Sequence, residues 1–140
     1  MVAPDKSVRV LPTGMDSACD PNVSFDGSSL LFAGKKTRSE RWRIYEISLG
    51  GGTPRAVSPE YQDARQPIYA TTLFTLDSPE PWLTILFSAR ERFLNETGQS
   101  SASSLYNVTL DGRELRRLTF NPNENRDPFQ MWDSRVIYSA

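Results

Sequence analysis

The residues able to do chemistry are few. Cys19 is the single cysteine, and the sequence contains no histidine. A lone thiolate is a soft ligand for zinc or for the neighbourhood of a haem, but it needs further donors. As a metal site, Cys19 therefore requires ligands from another domain. The plainer role is a small, partly buried side chain at the mouth of a sheet unit. Two carboxylates, Asp20 and Asp127, each precede a proline. At the mouth of a channel they are candidates for binding a cation or cationic ligand. As turn residues they would instead bond nearby backbone N–H groups before a proline-restricted step, which is the better reading. Without histidine the chain itself holds no Ser-His-Asp or Cys-His nucleophile, no imidazole metal site and no Cys-x-x-Cys-His haem attachment. With one cysteine it makes no internal disulfide.

Other polar groupings are weaker. Lys35, Lys36, Arg38, Arg41 and Arg43 form a basic cluster, as do Arg113, Arg116 and Arg117. The net charge is −1 with 24% charged residues. That is too little basic excess for a nucleic-acid or anionic-membrane surface, so solvated outer strands, charged against edge pairing, are expected. The segment from Asn121 to Asp127 is rich in oxygen ligands but lacks the glycine and terminal glutamate of a calcium loop. Asn22, Asn95 and Asn107 begin N-x-Ser/Thr sequons, which matter only in a eukaryotic secretory context. Trp42, Tyr45, Phe87, Tyr106, Trp132 and Tyr138 recur at strand positions. Packing between repeated units is expected of them, ahead of a stacking surface for sugars or peptides.

The elements that must position these residues are strands. The 140 residues suit one domain. Ten prolines and eight glycines are scattered among short apolar runs. The best helical stretch, Ser88 to Glu96, runs into Gly98 and serines. Apolar runs flank turn signals at Asp26-Gly27, Gly50-Gly51-Gly52, 77–81, Asp111-Gly112 and Asp133-Ser134. Asp26-Gly27 suits a two-residue hairpin turn with positive φ angles. The pattern gives about eleven strands in an antiparallel, all-β meander. No apolar run is long enough to cross a bilayer as a helix. The N-terminus, Met-Val-Ala-Pro-Asp-Lys, has no apolar stretch, so no secretory leader is expected in it.

An internal repeat organises the strands. Ile44-Tyr-Glu-Ile-Ser-Leu-Gly-Gly51 aligns with Leu105-Tyr-Asn-Val-Thr-Leu-Asp-Gly112 at an offset of 61. Arg55 then matches Arg116, and Val57 matches Leu118. Leu31-Phe32-Ala33 matches Leu86-Phe87-Ser88, and both resemble Ile137-Tyr138-Ser139. Each unit opens at a proline: Asp20-Pro21, Gln66-Pro67 and Asp127-Pro128. Four strands in about 40–60 residues form a propeller blade, whose two apolar faces are buried only by neighbours around an axis. The expected architecture is a partial β-propeller of four-stranded antiparallel blades. Its parts are a closing strand 7–12, a blade 20–59, a blade 66–120 and a half-blade 127–140. A closed ring needs about four to eight blades. The expectation is therefore a piece of a larger propeller, or a chain that closes by oligomerising, with a homodimer as one form.

Asp20-Pro-Asn-Val-Ser-Phe-Asp-Gly-Ser-Ser-Leu-Leu-Phe-Ala-Gly34 resembles the WD40-like repeat of TolB-type β-propellers, and Leu118-Thr119-Phe120 is similar to their blade endings. A nearer resemblance is to the propeller (middle) domain of hydrazine synthase alpha-subunit-like proteins. It rests on Met15 to Pro21, Phe32-Ala-Gly-Lys-Lys36, Arg41-Trp-Arg-Ile-Tyr45, Pro81-Trp82, Asn95-Glu96 and Leu115-Arg-Arg-Leu-Thr-Phe-Asn-Pro122. The resemblance implies a non-catalytic scaffold or protein-interaction module, part of a larger protein. The alternative it implies is part of a multihaem oxidoreductase whose haem domains lie outside these residues. Haem c and zinc belong, by that resemblance, to the full-length enzyme, and no cofactor is expected in this chain. Partners are expected to be protein chains or missing blades, with no nucleic acid and no membrane insertion. An extracytoplasmic, periplasmic setting follows from the resemblance alone.

Overall fold

A computed structural model describes residues 8–71, 82–90 and 102–140. It is all-β. The first sheet runs β1 (Ser17–Val23), β2 (Ser29–Lys35), β3 (Arg43–Ser48) and β4 (Arg55–Ala56), in that spatial order and antiparallel. The second repeats the plan with β5 (Asp63–Thr71), β6 (Leu83–Arg90), β7 (Ser103–Thr109) and β8 (Leu115–Arg117). A third sheet pairs β9 (Arg126–Gln130) with β10 (Val136–Ser139). Among the described residues no helix is long and apolar enough to cross a membrane. The three sheets are two blades and a half-blade of a propeller.

The alternation of side chains along each strand gives every blade two faces to bury. In the first blade, Leu31, Ala33, Ile44 and Val57 point one way. They form one core cluster with Tyr69, Ile85, Phe87, Tyr106 and Val108 of the second blade. Phe32, Tyr45 and Ile47 point the other way and form a separate cluster. The repeat extends to ring geometry. Phe32 stacks on Tyr45 at 5.8 Å and 22°, and Phe87 stacks on Tyr106 at 6.0 Å and 20°.

Several expectations are corrected. Residues 8–12 do not form the closing strand: only Val8 makes a bridge. Pro12 has no N–H to donate. The segment instead crosses the first blade. Arg9 donates to the carbonyls of Leu49 (3.1 Å) and Gly50 (3.3 Å), while Leu11 and Met15 cover the Phe32–Tyr45 face. Gly34 permits this approach. A Cβ there would lie 3.0 Å from the Phe32 ring and 3.2 Å from both the Met15 Cγ and the Tyr45 ring. The Asp26-Gly27 turn is not a two-residue turn. Gly27 N–H closes on the Ser24 carbonyl (2.9 Å), and only Gly27 has positive φ, +70°. Ser88 to Arg90 end β6 rather than start a helix, and the remainder of that stretch, 91–96, lies outside the described residues. So does the turn signal at 77–81. Trp132 is 92% exposed and Tyr138 40%: Trp132 lies in the turn between β9 and β10, and Tyr138 stands on β10, which has no further strand paired to it among the described residues.

Phe87 is fully buried between the two blades. Phe87→Ala should therefore cost about 3–5 kcal/mol by opening a cavity, whereas Trp132→Ala should change stability by less than about 0.5 kcal/mol. Chemical denaturation of both variants checks this, and equal effects would contradict the packing.

Candidate functional site

The inner strands of the blades carry one recurrent feature. Asp20, Gln66 and Asp127 have φ of 54°, 56° and 52°, a region non-glycine residues rarely occupy. Each stands before a proline, whose ring disfavours the right-handed helical region for the preceding residue. Each also sits where the strand pairing shifts register, in a β-bulge. The bulge turns the corner residue toward the next blade. The Asp20 carboxylate accepts the N–H of Gln66 at 3.0 Å. The Gln66 side-chain oxygen accepts the N–H of Asp127 at 3.1 Å. The same step is thus made twice. Side bonds strengthen it: Arg65 Nε donates to Asp20 at 2.7 Å, and Gln66 Nε2 donates to Asp127. Burial pushes the Asp20 carboxyl up, but the bonds from Arg65 and the Gln66 N–H, with the Arg65 charge, outweigh it and hold the carboxyl below its ordinary value.

A second ladder runs through the middle of the sheets at the 61-residue offset. Ser58 Oγ accepts the N–H of Ile44, and Thr119 Oγ1 that of Leu105, both at 2.9 Å. Asp63 accepts the N–H of Trp42 at 2.9 Å, and Glu124 that of Ser103 at 3.3 Å. The N–H of Ala64 meets the Trp42 carbonyl and that of Asn125 the Ser103 carbonyl, both at 2.8 Å. Tyr69 of the second blade donates its hydroxyl to Glu46 of the first at 2.7 Å, and burial with this bond raises the phenol. Around Glu124, burial pushes the carboxyl up, but the Ser103 hydroxyl and N–H and the charges of Arg90 and Arg126 bring it down to about 2. Ser103, Arg90 and Arg126 line a polar cleft of about 250 Å³ together with Trp42, Asp63 and Arg65. Arg65 and Lys35 lie over the Trp42 ring, at 4.5 and 4.9 Å from its centre.

Cys19 is half-buried, with its Sγ 3.9 Å from the Ala33 carbonyl; burial and then the Asp20 charge raise the thiol. Asp20 and Asp127 occupy equivalent corners, but Gln66 stands between them, so they do not meet around one point. No group of three His, Cys, Asp or Glu able to hold a metal is found among the described residues. Arg116 and Arg117 do lie on the outer strand β8. Lys36 to Arg41 lie between β2 and β3 instead, where Arg41 donates to the Tyr61 carbonyl at 3.2 Å. Asn22 is used internally: its Oδ1 accepts the Tyr69 N–H at 3.0 Å. Asn121 likewise accepts from Asn125 at 2.6 Å, and Asn95 lies outside the described residues. Sequence reasoning missed Ser58, Asp63, Thr119 and Glu124. Extending the repeat alignment beyond Val57 and Leu118 pairs each with a residue of its own chemical kind.

The sheets and corners define a segment of a β-propeller. Comparison with solved structures gives that segment a counterpart. A hydrazine synthase chain from Kuenenia stuttgartiensis matches with a TM-score of 0.74 at 18% identity, over 98% of this chain and 23% of its own length. A TolB protein from Agrobacterium tumefaciens aligns over 91% of this chain and 56% of its own, at 16% identity and a TM-score of 0.35. No protein family matches the sequence, and no curated protein does.

Glu124 generates a pH prediction. A carboxyl held below its ordinary 4.5 in the fold gives stability that is complete above 4.5 and is lost as pH falls toward about 2. Thermal melts across that window should show Tm falling with pH, and less steeply in Glu124→Gln. An unchanged slope in the variant would remove Glu124 from the inter-blade contact.

Proposed function

We propose that this chain is a non-catalytic propeller scaffold that presents rigid blade faces to protein partners. One observation carries the reading: Asp20 and Glu124 are consumed in structural contacts. Asp20 is engaged by Arg65 and the Gln66 N–H, and Glu124 by Ser103, Arg90 and Arg126. Groups that are spent as structural acceptors are poor candidates for general acid–base or ligand work. Exposed apolar side chains gather instead at the third sheet, where Phe129, Trp132 and Ile137 are 61%, 92% and 55% exposed. Surfaces of that kind mark protein contacts.

A second reading is favoured by the match to the hydrazine synthase chain: this segment is the propeller part of a longer oxidoreductase. Haem c, which that resemblance implies, does not fit the residues here. There is no histidine to ligate iron, and the one thiol is half-buried and raised by burial. Haem chemistry under this second reading is supplied by other parts of the longer protein. The extracytoplasmic setting follows the same resemblance.

A ligand-shift experiment tests the scaffold. A small molecule bound by the native state alone raises stability by about 2.7 kcal/mol at 100-fold its Kd. Melts of the chain with haem, Zn²⁺, Ca²⁺ or Mg²⁺ should leave Tm unchanged. A saturable rise with any of them, abolished by Cys19→Ser, Asp20→Asn or Asp127→Asn, would contradict the proposal.

A further inference from the structure

Building on the scaffold reading, we infer that the outer face of the third sheet is a docking site for another blade of defined chemistry: one whose inner strand carries an arginine-x-proline corner, with Asp127 as its acceptor.

The repeat fixes the equivalences. Pairing sets Cys19 against Ala33, Arg65 against Ser88 and Arg126 against Ser139. Leu31, Leu86 and Ile137 are therefore the same position in successive blades. Leu31 is 0% exposed and Leu86 1%, each with a following sheet packed on it; Ile137 is 55% exposed. Phe129, paired with Ile137, shares its face and is also exposed. The two existing blade interfaces thus continue into a third face with the same apolar positions uncovered.

The corner specifies the occupant. Where the corner is a carboxylate, Asp20, the next blade answers with Arg65 as well as a backbone N–H. Where the corner is a neutral amide, Gln66, the next blade gives its N–H and its arginine turns away, Arg126 pairing with Glu124. Asp127 restores the carboxylate. It is exposed, and among the described residues its only partners in hydrogen bonding lie on Gln66 of the preceding blade. A carboxylate in this place calls for a guanidinium, as Asp20 has. A second copy of this chain fits poorly. Its first blade carries Cys19 at the arginine position, and the face it would offer is already covered by Leu11 and Met15.

The test lengthens the chain by appending a second copy of residues 102–140 after Ala140. This supplies the missing outer strands and then an Arg-Asp-Pro corner. The lengthened chain should melt at least about 3 °C above the 140-residue chain. Asp127→Asn in the original segment should remove most of that gain while changing the unextended chain little, and high salt should weaken the gain. No gain, or a gain indifferent to Asp127→Asn, would overturn the inference. So would a discrete dimer of the unextended chain in light scattering whose formation depends on Asp127 and Phe129, which would assign the face to a second copy. Neither outcome bears on ligand-induced shifts of the unextended chain, so the scaffold reading stands or falls separately.

Discussion

The structure depends on a backbone corner. Asp20, Gln66 and Asp127 are held in a left-handed conformation that costs on the order of 1–3 kcal/mol each. The following proline and the β-bulge hold it together, joined at Asp20 and Gln66 by a bond to the next blade. Within a blade, hydrogen bonds between strands are satisfied by the sheet. Between blades there is no continuous strand pairing, only packing and isolated hydrogen bonds such as Ala64 N–H to the Trp42 carbonyl and the Tyr69 hydroxyl to Glu46. Among these bonds, the side chains of Asp20 and Gln66 each accept a backbone N–H from the equivalent corner of the next blade, and so register one sheet against the next. The apolar faces supply most of the free energy and the corners supply registration.

That division of labour engages several of the chemistry-bearing residues in contacts between sheets. Carboxylates, an amide and arginines are placed where sheets meet, each meeting a backbone group or an opposite charge. Asp20 is held ionised by Arg65, and Glu124 by Ser103 and two arginines. The polar cleft between the blades is the space left by these contacts. The same arrangement makes the third sheet conspicuous, since its corner and its apolar positions follow the pattern with no further sheet packed on them among the described residues.

Much of this was legible in the sequence, because repetition shows periodic constraints directly. Tyr45 with Tyr106 and Phe32 with Phe87 predicted equivalent faces, and the stacked pairs follow them. Turns marked by Gly51, Gly112 and Ser134 fell where expected. Strand starts were read too late at the prolines. Pro21, Pro67 and Pro128 look like breaks, yet a bulge accommodates each inside a strand. Residues 7–12 looked like a strand by alternation, but Leu11 gains more by covering the Phe32–Tyr45 face. The polar ladder through Ser58, Asp63, Thr119 and Glu124 was hidden because such residues are ordinary in loops. Only their shared offset distinguishes them, and a hydrogen bond to a distant backbone N–H leaves no local signal.

Amide hydrogen exchange at the corners tests the central claim most directly. In the native chain the Gln66 N–H, accepted by Asp20, should exchange as slowly as sheet amides such as Ile85. In Asp20→Ala, Gln66 should lose that protection while the amides of β6 keep theirs. Unchanged protection at Gln66, or a uniform loss across both blades, would contradict the account that the corner bond is what registers one blade against the next.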